Sequence, residues 1–201
     1  MEKIISLRSE KNYGNKFTKM IRLKDIAEIR SGVYLNSPPG DEVAYMQMKD
    51  LTMDSPEKIA SFVEYNPRME KNLLRKGDLL FAGKGTTYLC TLFNLDIKAM
   101  ASTTLYVIRV QNDKVLPEYL CWYLNHPNIV SKIRASQIGS STPLILKSTL
   151  EEIEIPVPDK ATQRKVMEIS RLQERETYLI NTLAEKRASI VNQLLINEIN
   201  K

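Results

Sequence analysis

From Asp159 to Lys201 the chain contains neither proline nor glycine, and that stretch limits the architecture more than any other. A helix over residues 160–199 would run for about 60 Å, far longer than a small domain needs to cover one face. In a heptad frame Val166, Ile180 and Leu194 take one seam position, and Ile169, Leu183 and Ile190 take the other. Gln173, Glu176, Arg187 and Asn197 interrupt the seam, as in a coiled coil with polar breaks. Leu172, Leu179, Val191 and Leu195 widen the stripe, as expected where more than one neighbour is packed. A lone helix cannot bury such a stripe against itself. The tail therefore implies a partner, met at Val166, Ile169, Leu172, Ile180, Leu183, Ile190 and Leu194.

The residues before the tail carry mixed signals. Residues 1–20 are polar, without hydrophobic periodicity, and read as a poorly ordered leader. Leu23, Ile26, Ala27 and Ile29 lie near helical spacing and predict a helix over Ile21–Ile29, stopped by Ser31-Gly32. Asn36-Ser37-Pro38-Pro39-Gly40 reads as a loop. Between Val43 and Val110 the runs are short and β-like: Val43–Met48, Asp78–Ala82, Tyr88–Phe93 and Thr104–Val110. Pro117 suits a first helical turn, followed by an apolar stripe of Tyr119, Leu120, Trp122, Tyr123 and Leu124 that reads as core. Gly139–Pro143 is a further loop, and Pro156-Val157-Pro158 breaks whatever precedes it. Strands and helices mix without a steady βαβ rhythm, which predicts an α+β domain over 21–158 and a long spacer helix over 159–201.

Charge and composition narrow the function. The net charge is +5 with a pI near 9.1, which permits a nucleic-acid partner without requiring one. Residues 68–98 carry Arg68, Lys71, Arg75, Lys76, Lys84 and Lys98 against Glu70, Asp78 and Asp96, whereas 41–64 is acidic. That asymmetry points to one basic face. No run reaches the ~20 apolar residues of a membrane span, and the start lacks the apolar segment of a secretory signal, so a cytoplasmic location is expected. Cys90 and Cys121 form no CxxC pair and His126 is the single histidine, which disfavours zinc and histidine-based catalysis. Phe81-Ala82-Gly83-Lys84-Gly85-Thr86-Thr87 resembles a phosphate loop, but Asp78 and Gly85 stand where the loop needs glycine and a hydroxyl residue. It reads instead as a glycine turn at a strand's end, with Lys84 adding charge. Tyr65-Asn66-Pro67-Arg68 lacks the second proline and the aromatic of an amino-methyltransferase signature, and Glu151, Glu152 and Glu154 read as an acidic element edge.

Four segments in order resemble the specificity subunits of type I restriction–modification systems. Arg22-Leu23-Lys24-Asp25-Ile26-Ala27-Glu28-Ile29-Arg30-Ser31-Gly32 is similar to the opening of a target-recognition domain, and Tyr45–Leu51 to its next strand and turn. Leu74-Arg75-Lys76-Gly77-Asp78-Leu79-Leu80-Phe81-Ala82-Gly83-Lys84-Gly85-Thr86 is similar to the family's leucine, basic, Lys-Gly-Asp-Leu-Leu segment. Leu150–Pro158, with Gln163 shortly after, is similar to the exit into the conserved helix. The resemblance covers about residues 21–200. It implies that two recognition domains and two long helices usually share one chain, the helices pairing antiparallel and spacing the domains. Adenine methyltransferase (M) subunits using S-adenosylmethionine join that scaffold, and a motor–nuclease (R) subunit can be added. One domain and one helix here imply a half-subunit, a truncated gene or an engineered piece. A half-subunit would restore the geometry as an antiparallel homodimer, with a palindromic target. Arg187 fits that direction, since antiparallel packing brings it to the other chain's Glu176 region rather than to its own copy.

The expected role is sequence-specific binding of double-stranded DNA, with no catalysis and no cofactor in this chain. Arg75, Lys76 and Lys84 are expected at phosphates, and Thr86, Thr87 and Tyr88 near the groove. Gln47 is expected at a base edge, since an amide pairs bidentately with adenine, with Lys49 beside it. Ser140, Ser141 and Thr142 are a weaker set of hydroxyl contacts. The alternative is a stand-alone dimeric DNA-binding regulator without a methyltransferase.

Overall fold

The computed structural model describes residues 19–52, 60–84, 89–138 and 144–200. The expected leader falls outside them except for Lys19 and Met20, which are not leader but strand. Strand β1, Lys19–Arg22, pairs antiparallel with β9, Glu154–Val157, so the way into the domain and the way out lie side by side. Pro156 is tolerated within β9 because that strand has one neighbour only, and the strand ends just before Pro158.

The helix expected over Ile21–Ile29 does not form. A 3₁₀ turn, Leu23–Asp25, leads into strand β2, Ala27–Ser31. Leu23, Ile26, Ala27 and Ile29 are all buried, so the core assignment holds while the element type changes. The reason is local. Leu23 and Ile26 face inward across one 3₁₀ turn, closed by Ile26 N–H donating to Leu23 O at 3.1 Å, and Ala27 and Ile29 then alternate along a strand. Over so few residues the two patterns mimic one helical face.

Strand β2 is the edge of a four-stranded antiparallel sheet of order β2-β8-β5-β6, with β5 Leu79–Ala82, β6 Cys90–Leu92 and β8 Leu105–Val110. Strand β5 is buried throughout, which explains its unbroken apolar run. Leu79 and Phe81 join Ile29, Ile108, Leu120, Leu124 and Ile133 in one cluster, under helices α1 (Pro117–Asn125) and α2 (Pro127–Ala135). Leu80 and Ala82 point the other way, into a second cluster with Ala44, Met46, Leu105 and Val107. That face meets a three-stranded sheet of order β4-β3-β7, with β3 Pro39–Met46, β4 Ser61–Val63 and β7 Ala99–Ala101, β3 and β7 running parallel. Pro39 and Gly40, expected in a loop, open β3. Asn125 closes the free edge of β6 by accepting from Cys90 N–H at 2.8 Å and donating to Cys90 O at 2.7 Å. Both thiols are free; burial pushes the Cys90 thiol well up, and Cys121 Sγ donates to Cys90 O at 3.3 Å.

Short helix α3, Lys147–Glu151, precedes β9, and α4 follows over Lys160–Ile199. Asp159 caps α4, accepting from Thr162 N–H at 2.9 Å. Gln163 fastens the helix to the domain. Its side chain is wholly buried, accepts from Leu116 N–H at 2.9 Å, and donates to Lys114 O at 2.7 Å and Pro158 O at 2.8 Å. Val166 and Met167 still pack on the first cluster. From Ile169 onward the large apolar side chains of α4 are 49% to 82% exposed. Of the expected partner surface, Val166 thus touches its own domain, whereas Ile169, Leu172, Ile180, Leu183, Ile190 and Leu194 stand in solvent.

Candidate nucleic-acid interface

The basic residues expected to act together sit at opposite ends of β5. Arg75 and Lys76 precede the strand, in a turn that needs Gly77 at φ +91°. Asp78 locks that turn, its carboxylate accepting from Arg75 N–H at 2.8 Å while its own N–H donates to Arg75 O at 2.9 Å. The same carboxylate, 1% exposed, takes a fork from Arg109, Nε at 2.7 Å and Nη2 at 2.6 Å. These hydrogen bonds hold the Arg109 guanidinium above its ordinary range. Arg30 lies beside them and donates to the carbonyls of Lys71, Asn72 and Leu73, its pKa pushed down first by burial and then by Arg109. Lys76 pairs with Asp96 at 2.9 Å. The chemistry at this end of β5 is that of a buttress: Arg30, Lys76 and Arg109 face protein acceptors, and the side chain of Arg75 is exposed.

The other end of β5 is built differently. Ser102, Thr103 and Thr104 form the turn from β7 into β8, closed by Leu105 N–H donating to Ser102 O at 2.9 Å. Three other segments converge on it. Gly32 N–H donates to Leu105 O at 2.8 Å, Ser102 N–H to Met46 O at 2.9 Å, and Gly83 N–H to Thr104 O at 3.1 Å. Gln47, half-buried, and Lys84, half-buried, therefore flank one turn. Gln47 is held by its N–H on Asp50 Oδ2 at 2.7 Å, in the 3₁₀ turn Met48–Thr52 that also carries exposed Lys49. Lys84 bridges Leu144, Ile145 N–H donates to Gly83 O at 3.0 Å, and the Tyr106 hydroxyl donates to Ile145 O at 2.8 Å. Val33 bridges Ser102, and Tyr34 next to it is 78% exposed.

A cleft of about 290 Å³ opens here, lined by Ser31, Gly32, Gly83, Lys84, Thr103 and Thr104 among others. Of the expected contacts, Gln47 and Lys84 lie next to this turn, Lys49 lies in the 3₁₀ turn that follows Gln47, and Arg75 and Lys76 lie at the other end. Thr86, Thr87, Tyr88, Ser140, Ser141 and Thr142 lie outside the described residues. Sequence reasoning passed over the Ser102–Thr104 turn, although three hydroxyls between two strands were a signal of the same kind as Ser140–Thr142.

The remaining acidic cluster is structural. Glu152 faces Lys24 and Arg22, and the Lys24 hydrogen bond leads in holding its carboxyl below the usual range. Among the described residues no group of three or more His, Cys, Asp and Glu side chains is placed to hold a metal ion. None of the described helices is long and apolar enough to cross a membrane.

A mixed α+β domain that hands its chain to a long projecting helix is a recognisable class of module, and the comparisons give it a family. Residues 15–186 match the family described as the type I restriction modification DNA specificity domain. The chain belongs to that family. It is 26% identical over 155 residues to the type I restriction enzyme MjaIX specificity subunit of Methanocaldococcus jannaschii, covering 72% of this chain and 35% of the relative. It is 31% identical over 109 residues to the HindI specificity subunit of Haemophilus influenzae, covering 51% of this chain and 23% of the relative. The fold is shared with the S subunit of the type I system from M. genitalium, at TM-score 0.57 and 16% identity over 81% of this chain and 41% of that one. It is shared also with the HsdS subunit of Thermoanaerobacter tengcongensis, at TM-score 0.59 and 20% identity over 80% and 38%. The chain matches well under half the length of each of these proteins.

Proposed function

We propose that this chain recognises DNA as one half of a type I restriction–modification specificity subunit. The carrying observation is that the family match, residues 15–186, takes in both the domain and more than half of α4, so domain and helix are read as one unit of that family. The Lys84 end of the domain supplies the chemistry, with a cation, hydroxyls and an amide on one face. The exposed stripe of α4 supplies the second half. Burying each large apolar side chain is worth about 1.5–3 kcal/mol, and several of them, doubled by symmetry, outweigh the several kcal/mol of rigid-body freedom lost on association. An antiparallel pair of α4 helices would set one domain at each end of a rod and bring Arg187 to the other copy's Glu176 region.

In this reading the chain is not itself an enzyme. Methyltransferase subunits carry S-adenosylmethionine and modify adenine, a restriction subunit can join, and this chain directs them to a bipartite palindrome. Co-expression with the neighbouring methyltransferase subunit, followed by mapping of methyladenine, tests it. Methylation confined to one interrupted palindrome, and lost without this chain, is the expected result. A chain that binds duplex DNA as a dimer yet neither co-purifies with the methyltransferase nor alters methylation would be a stand-alone regulator instead.

A further inference from the structure

We propose that the cleft at the Ser102–Thr104 turn seats a backbone phosphate of the bound duplex, with the Lys84 ammonium and the Thr103 and Thr104 hydroxyls as donors. The inference rests on the DNA reading above and gives it a particular subsite. Its first support is charge. Among the described residues that line the cleft, Lys84 is the one cation and none is a carboxylate. At the other end of β5, Lys76 faces Asp96 and Arg109 faces Asp78. The cation of the cleft is thus set among neutral donors, and the missing complement is an anion.

The second support is hydrogen-bond supply. Ser102 Oγ and Thr104 Oγ1 are 2.7 Å apart, so one of the two hydroxyls donates to the other. Ser102 is buried, with 5% exposure, and Thr104 is half-buried. When Ser102 donates to Thr104, the Thr104 hydroxyl keeps its own hydrogen for a ligand, and exposed Thr103 adds a second donor beside it. Hydroxyls and a lysine ammonium are the groups that hold phosphate oxygens in protein–DNA contacts.

The third support is the closeness of the walls. A Cβ on Gly32 would stand 2.1 Å from Ser102 O, and one on Gly83 would stand 2.4 Å from the Tyr106 ring. Only glycine lets these segments close around the turn. The glycine turn at Gly83-Lys84, which fails as a nucleotide loop, is accounted for by this close approach.

The test measures duplex affinity against salt for the intact protein carrying Lys84→Ala, Lys84→Arg or Thr104→Val, on target and non-target DNA. Lys84→Ala should weaken both duplexes about tenfold and lower the slope of log affinity against log salt by about one. Thr104→Val should weaken both severalfold, and Lys84→Arg should keep the salt slope. A duplex with a methylphosphonate at the contacted position should weaken the wild type and leave Lys84→Ala unaffected. Unfolding midpoints matching the wild type exclude a folding defect. If the wild type binds with normal salt dependence and neither Lys84→Ala nor Thr104→Val changes it, the subsite is wrong and the DNA reading stands. A Lys84→Ala loss confined to the target, with the slope intact, would make Lys84 a base reader and overturn the phosphate assignment. A wild type that binds inorganic phosphate but no duplex would sink the subsite and the DNA reading together.

Discussion

Leu80 and Leu183 are the same side chain in opposite circumstances. Leu80 lies between two sheets and is 1% exposed, whereas Leu183 stands on α4 with 59% of its surface in solvent. The domain meets its hydrophobic pattern with its own elements, so that β5, one of the two inner strands of the four-stranded sheet, is covered on both faces. Helix α4 carries an equally regular pattern and finds local cover only through Gln163, Val166 and Met167 in its first turns. Apolar patterning thus serves folding in one region and, in the function proposed above, association in the other. The boundary between the two regimes runs just past Met167, inside α4, rather than at the proline pair before it.

The largest blow to the domain side of this contrast should come from Asp78→Ala. It leaves the Arg109 guanidinium without its carboxylate, and Arg75 N–H without its acceptor. The expected cost is about 3–5 kcal/mol, read as a lower urea midpoint at constant slope. A loss below about 1 kcal/mol would mean that the pair behaves as a surface ion pair and does not hold the turn. Next in size is the direct comparison. Leu80→Ala should destabilise the domain by about 3 kcal/mol, while Leu183→Ala should move the unfolding of dilute monomer by under about 0.5 kcal/mol. Leu183→Ala should instead raise the dissociation constant of the proposed dimer, seen by sedimentation. Equal effects of the two changes on monomer unfolding would erase the distinction.

What could be read from the sequence divides along the same line. Strands β5 and β8, helix α1 and the whole of α4 were legible, because each is specified by its own residues: an apolar run, Pro117 in a first turn, or a long stretch free of proline and glycine. Strand β2 was not, since Leu23, Ile26, Ala27 and Ile29 fit a helical face as well as they fit a 3₁₀ turn running into a strand. At the candidate interface, Gln47 and Lys84 were chosen by residue type, and the structure sets both beside one turn. Their grouping depends on Met46, Gly83 and Gly32 all bonding to residues 102–105, and no local pattern announces such contacts. Arg75 and Lys76 looked equivalent to Lys84 because the Asp78–Arg109 and Lys76–Asp96 pairings span intervals that periodicity does not report.

The seam between the two regimes can be probed at Gln163. Gln163→Ala strands Leu116 N–H and the carbonyls of Lys114 and Pro158 in a buried setting. The expected cost is about 2 kcal/mol, with faster amide exchange at Leu116 and in the first turns of α4. Because the bonds belong to the domain and the proposed association surface lies beyond Met167, the constant of the proposed dimer should hardly change. A variant that dissociates while its domain keeps full stability would place Gln163 on the association side and shift the boundary toward the domain.

The smallest expected effect tests whether α4 starts where it does for a reason of its own. Asp159 is the residue before the first turn; its Oδ1 accepts from Thr162 N–H at 2.9 Å, and its Oδ2 accepts from the Thr162 hydroxyl at 3.1 Å. The carboxylate also sits at the positive end of the helix dipole. Asp159→Ala should cost about 1 kcal/mol, and Asp159→Asn only a few tenths, because asparagine serves as well at this position. The loss should appear as faster exchange of Thr162 N–H and its neighbours, with nothing altered at Leu183 or beyond, since capping acts within the first turn. If both variants exchange like the wild type, the start of α4 is set by Gln163 and the domain alone, and the helix would owe its first turn to tertiary packing rather than to its cap.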